Sequence, residues 1–165
     1  MTDSARQRLA FQQAEVVCAL VAQGPIPPGF HAERFRAFAR SLVNKRRQAL
    51  ARAWPNIARI LAKGYAERFT VYAESHALPE GGSTLADGRE FLRWLEAQGQ
   101  HGDAARVEAM AFDFRWRPTP LGLQRRGGFG LRFAKLRETP TLVIAVRLPW
   151  LGERWWRVPL GKARK

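Results

Sequence analysis

The sequence predicts an α+β chain in which an N-terminal bundle of about six helices is followed by a small C-terminal antiparallel three-stranded β-meander. Three observations carry this expectation. Apolar residues recur three or four positions apart from about residue 4 to residue 114, the spacing of a helix face. After Pro118 they alternate with small or polar residues, the period of a strand. Pro and Gly clusters fall mostly between the periodic segments. The expected division is a helical bundle domain over 1–117 and a basic β-meander over 118–165, packed on the bundle or on a partner.

The first helix is expected over about residues 4–23, with Ala10, Ala14, Val17 and Val21 on one stripe and Cys18 beside it. Gly24 ends it, and Pro25, Pro27, Pro28 and Gly29 make a stiff connector. A second helix, Ala32 to Ala53, points Phe35, Phe38, Leu42, Ala49 and Leu50 inward. Pro55 breaks its register and opens a third helix, where the missing N–H costs nothing. That helix carries Ile57, Ile60 and Leu61 and ends at Gly64; a fourth, Tyr65–Ala77, presents Phe69 and Tyr72. Beyond the Pro79–Ser83 loop, Asp87 or a neighbour starts a fifth helix with Phe91, Leu92, Trp94 and Leu95, closed by Gly99. Asp103 is the expected N-cap of a sixth, through Val107, Met110 and Phe114.

In the meander, Phe129, Leu131 and Phe133 alternate with Gly130, Arg132 and Ala134. Leu142, Ile144, Val146 and Leu148 form the second strand and Arg154–Leu160 the third, with turns at 137–140 and 149–153. Three strands alone are marginal, so the meander needs the helices or a partner.

The chain has 165 residues, 28 Lys+Arg against 14 Asp+Glu, and a net charge of +14. With 46% apolar and 11% aromatic residues it is no disordered basic tail. Such charge attracts anions, acidic proteins or nucleic acid. Its placement is uneven: residues 111–165 hold 13 basic and 3 acidic side chains, and Arg34–Arg68 holds ten basic residues and one acid, Glu67. No disulfide can form from one cysteine, Cys18, which is read as a buried inert thiol on an apolar face. His31, His76 and His101 lie far apart, so no metal site and no cofactor is expected. The first residues are polar and no apolar run reaches the ~20 residues of a membrane span, which points to a cytoplasmic protein without membrane contact.

Candidate binding residues lie in the two basic blocks. On the second helix Arg36, Arg40 and Arg47 share one stripe, Lys45, Arg52 and Arg59 another, and Arg46 lies between, a face suited to phosphates or an acidic partner unless it is simply solvated. In the meander the candidates are Arg125, Arg126, Arg132, Arg147, Arg154, Trp155, Trp156 and Arg157. Interleaved Trp and Arg hold single-stranded nucleic acid, and they also arise when one strand face is core and the other solvent. Trp155 and Trp156 must point to opposite sides, so only one can be core. No His, Ser or Cys stands where it could work with Glu108 or Asp113, and no catalytic residue is assigned, so the chain is not expected to be an enzyme.

From Arg34 to about Trp116 the order is a basic helix with Asn44, then Leu50, Trp54-Pro55, Ile57, Ile60-Leu61, Gly64, Phe69 and Tyr72. A Pro/Gly/Ser loop, Gly88, Phe91-Leu92 and a helix with Ala104, Val107, Glu108 and Phe112 follow. This stretch resembles the helical N-terminal domain of bacterial proteins catalogued as DNA-binding. Members of that family are thought to act as partner subunits that present a cysteine-containing precursor peptide to a multinuclear iron-dependent enzyme. The family's basic helix usually has a Tyr-Arg-Asn-Asn type sequence, where this chain has Leu42-Val43-Asn44-Lys45-Arg46; Asn44 and the bases after it carry over. The resemblance implies an accessory subunit with two partners, an iron-dependent peptide-modifying enzyme and its precursor peptide. The alternative is a nucleic-acid-binding protein that uses the basic helix and basic strands.

Overall fold

Helices occupy the chain up to Arg115 and antiparallel strands the remainder, in a computed structural model that describes residues 3–21, 24–79, 81, 83–100, 102–119 and 121–161. The helices are α1 (Asp3–Val21), α2 (Ala32–Ala53), α3 (Pro55–Leu61), α4 (Tyr65–Ser75), α5 (Thr84–Ala97) and α6 (Asp103–Arg115). Five of these have eleven residues or more, while α3 is a seven-residue, two-turn segment that runs through a 3-10 turn into α4. The expected bundle of about six helices is therefore five full helices and this short piece. The strands are β1 (Trp116–Thr119), β2 (Gly122–Arg125), β3 (Gly130–Lys135), β4 (Thr141–Leu148) and β5 (Gly152–Pro159).

The chain forms two compact units. One comprises residues 1–49 and 64–78, the other 50–63 and 79–165. In the first unit, Phe35 of α2 and Phe69, Tyr72 and Ala73 of α4 are buried, with Ala19 of α1. The apolar stripe expected on α1 is not a core face: Ala10, Ala14 and Val17 are exposed, as is Cys18, and the side chain of Val21 lies outside the described residues. Short Ala side chains give such a stripe little apolar area to bury. Phe38, expected inward, is 54% exposed, because the buried line of α2 runs through Phe35 and Leu50.

In the second unit, Leu50, Trp54, Ile57, Phe91, Leu92, Leu95 and Phe112 are buried, and Ile60, expected with them, is exposed. α5 starts three residues before Asp87, capped by the Ser83 hydroxyl, which accepts the Ala86 N–H at 3.3 Å. Asp103 is not the cap of α6: Gly102 holds that place, and the Asp103 carboxylate is used elsewhere. It accepts the N–H groups of Arg137 at 2.8 Å, Glu138 at 2.7 Å and Thr139 at 3.2 Å, pinning the β3–β4 turn to the start of α6.

β1 and β2 form a two-stranded hairpin that begins before Pro118, where a simple break in period was expected. Pro118 is tolerated because each of these two strands has a free edge. β3, β4 and β5 form the expected three-stranded meander, with β4 central. Its inner face packs on α6: Val143 and Ala145 join Met110, Phe114 and Leu136 in one buried cluster, with Ala134 and Trp155 against it. Trp155 is thus the core member of the Trp pair, and Trp156 stands on the opposite face.

Candidate functional site

In the first unit α2 is charged along its exposed face because ten bases fall in Arg34–Arg68. Arg36, Arg40 and Asn44, each about one helical turn after the last, line a groove of about 720 Å³. Its apolar lining includes Ile26, Phe35 and Val43, and Glu74 of α4 contributes a carboxylate. The structure thus brings together three of the candidate residues around a part-apolar concavity. Lys45 is exposed and Arg47 half-buried, and neither lines the groove.

Arg46 has a different place. Its guanidinium lies 5.6 Å from the Phe69 ring centroid and 5.4 Å from that of Tyr72. It donates to the His76 carbonyl at 2.8 Å, at the end of α4. Tyr65 adds a second tie between α4 and α2 by donating its hydroxyl hydrogen to the Arg47 carbonyl at 2.8 Å.

In the second unit β3 and β5 each leave one edge unpaired within their sheet. A cleft of about 500 Å³ is lined by residues of β3 together with Arg93, Arg106, Trp116 and Arg126. Arg132 of β3 is part of the lining, as are Glu96 and Asp113. Arg89 binds Asp113 through two bonds, Nε at 3.0 Å and Nη2 at 2.9 Å. Burial acts to lower the Arg89 pKa, and the hydrogen bond and charge of Asp113 outweigh it, so the guanidinium is held above its usual value. Sequence reasoning missed Arg93 and Arg106, since only the packing of α5 and α6 brings them to this cleft.

The remaining candidates divide by strand face. Arg147 is tied inside: it donates to the carbonyl of Phe114 at 2.8 Å and that of Gly128 at 3.2 Å, with its charge 4.8 Å from the Phe114 ring centroid. Arg126 donates to the Trp116 carbonyl at 3.0 Å. Arg125 ends β2, Arg154 and Arg157 lie on opposite faces of β5, and Arg52 lies in the last turn of α2; all four are exposed. Among the described residues, no three His, Cys, Asp or Glu side chains gather in a way that could hold a metal ion. No helix among them is long and apolar enough to cross a membrane.

The profile of the SCO6045-like, C-terminal domain family matches residues 10–97. The chain belongs to that family. The SCO6045-like match takes in α2, its arginines and α5, and stops before α6 and every strand. A UPF0276 protein from Streptomyces avermitilis is 40% identical over 102 residues, which cover 62% of this chain and 20% of that protein. The chain thus spans about a fifth of the length of the curated relative it matches. No solved structure matches the chain significantly.

Proposed function

We propose that the chain is a non-enzymatic accessory subunit that holds a precursor peptide for a multinuclear iron-dependent peptide-modifying enzyme. The observation that carries the reading is the free edge of β3 beside a cleft lined by Arg93, Arg106, Arg126 and Arg132. An extended peptide adds to such an edge by backbone pairing, and the side chains beside it set the preference. Here five arginines line the cleft, and Glu96 and Asp113 are both paired with one of them, Arg89, a balance that favours a peptide with acidic residues. The Streptomyces relative supports the same reading, since its matched segment is one fifth of a longer chain. Tethering of that kind supplies a high effective concentration for a segment that acts beside a larger protein. The iron in this scheme belongs to the partner.

Co-expression with the iron-dependent enzyme and its cysteine-containing precursor peptide tests this. The chain is expected to raise peptide modification, and Arg132→Glu to lower it at least tenfold. Absence of any complex, with no effect on modification, overturns the reading.

A second reading, nucleic-acid binding, draws on the net charge of +14. Contact through six or more phosphates predicts an affinity loss of roughly 10³-fold or more between 50 and 200 mM salt. The Glu74 carboxylate works against phosphate at the groove.

A further inference from the structure

The meander wears its large apolar side chains on the outside. Gly130, Arg132 and Ala134 lie on the inner face of β3, and a Cβ on Gly130 would stand 2.9 Å from the Phe114 ring. Only a small residue lets α6 approach there. The alternation then sends Leu131 and Phe133 outward, 63% and 71% exposed. Register aligns Phe133, Ile144 and Trp156 in one cross-strand row, and Leu131, Val146 and Arg154 in the next. Lys135, Leu142 and Val158 make the third. Strands about 4.8 Å apart and eight residues of roughly 3.3 Å each make this face about 14 Å by roughly 26 Å. Contiguous apolar patches of a few hundred Å² are often functional.

Charge selects the occupant. The face carries Lys135 and Arg154 and no acid. The three acids of residues 111–165 are committed elsewhere: Asp113 to Arg89, Glu138 to the Asp103 N–H at 3.2 Å, and Glu153 to Arg115 at 2.7 Å. A second copy would add two more cations, its own Lys135 and Arg154, and no acid to the same face.

We infer that the outer face of the β3–β4–β5 sheet is a docking surface for a protein partner with an apolar patch rimmed by carboxylates. Resting on the proposed accessory role, this assigns the face to the peptide-modifying enzyme and leaves the β3 edge to the peptide. Trp156, Ile144 and Leu131 fill the apolar centre, and Lys135 and Arg154 meet the acidic rim.

The test is retention of the co-expressed iron-dependent enzyme by the full chain and by Val158→Asp and Trp156→Asp. Neither residue lines the arginine cleft, and both side chains are exposed. Leu121→Asp, at a 99% exposed position in the β1–β2 turn, is the control. Circular dichroism checks that each variant folds. The expected result is at least a tenfold weaker complex for the two sheet variants, an unchanged one for the control, and unchanged binding of the precursor peptide by all. Sheet variants that retain the enzyme like the wild type overturn this inference and leave the accessory role standing. A wild-type chain that retains no enzyme overturns both. A wild-type dimer in sedimentation that Trp156→Asp converts to monomer overturns the inference in favour of a second copy.

Discussion

The indole of Trp54 occupies the space that a side chain on Gly88 would need. A Cβ built on Gly88 falls inside 3.0 Å of three indole atoms, closer than real Cβ contacts come. Gly88 lies within α5, where glycine costs roughly 1 kcal/mol relative to alanine, so close packing outweighs propensity at this point. Both residues are buried, and the Trp54 ring also meets Phe112 of α6 at 5.5 Å between centroids.

Gly88→Ala is therefore expected to destabilise the protein even though alanine is the better helix former. Overpacking of this kind costs about 1–3 kcal/mol and sometimes more. Urea unfolding of wild type and variant measures it. A variant as stable as the wild type would show that Trp54 can move aside freely.

Asp103 supplies a second test, because its carboxylate receives three backbone N–H groups from the β3–β4 turn. Burial acts to raise its pKa, and the bonds from Arg137, Thr139 and Glu138 outweigh this, so the value lies below the ordinary 3.8. A lowered folded pKa means stability that is present above pH 3.8 and is lost as pH falls through the folded value. Asp103→Asn should be less stable at pH 7, by about 1–3 kcal/mol, and should lose less stability than wild type on acidification. Thermal melts between pH 2 and 7 decide this, and parallel acid limbs would contradict it.

Much of the fold was legible from the sequence and its faces were not. Alternation placed the three strands of the meander within one or two residues, because period 2 is a property of the chain itself. It could not say that Gly130 and Ala134 face α6 while Leu131 and Phe133 face outward, since that choice belongs to Phe114, whose ring needs the space at Gly130. The bases of α2 were legible as a charged face. Their division into Arg36 and Arg40 at a groove and Arg46 against Phe69 and Tyr72 depends on α4, which no spacing within α2 reports. The buried tie of Asp103 to a turn more than thirty residues away is equally invisible to a local capping rule.

Arg46 should consequently behave as a structural residue among the binding candidates. It covers two aromatic rings with its charge and closes the end of α4 through the His76 carbonyl. Arg46→Ala is expected to lower stability by about 1–3 kcal/mol through lost packing and hydrogen bonding. Arg36→Ala, at an exposed side chain, should change it by no more than about 0.5 kcal/mol. Comparing the two thermal midpoints checks the contrast, and equal midpoints would place Arg46 with the solvated arginines.

Glu108 gives the opposite sign of pH dependence. One carboxylate oxygen accepts the Asn56 N–H at 3.3 Å, and the other is buried with no hydrogen-bond partner among the described residues. Burial raises its pKa above the ordinary 4.5, more than the N–H groups of Asn56 and Ile57 and the charge of Arg59 lower it. A raised folded pKa means that the charged form fits the fold less well than the neutral one. Its contribution is therefore most favourable below pH 4.5 and declines as pH rises through the folded value. Glu108→Gln keeps an oxygen for Asn56 and removes the charge. Its urea midpoint at pH 7 should equal or exceed that of the wild type, with the difference shrinking below pH 4.5. A variant clearly weaker at pH 7 would mean that the charge on Glu108 stabilises the start of α3 more than its burial costs.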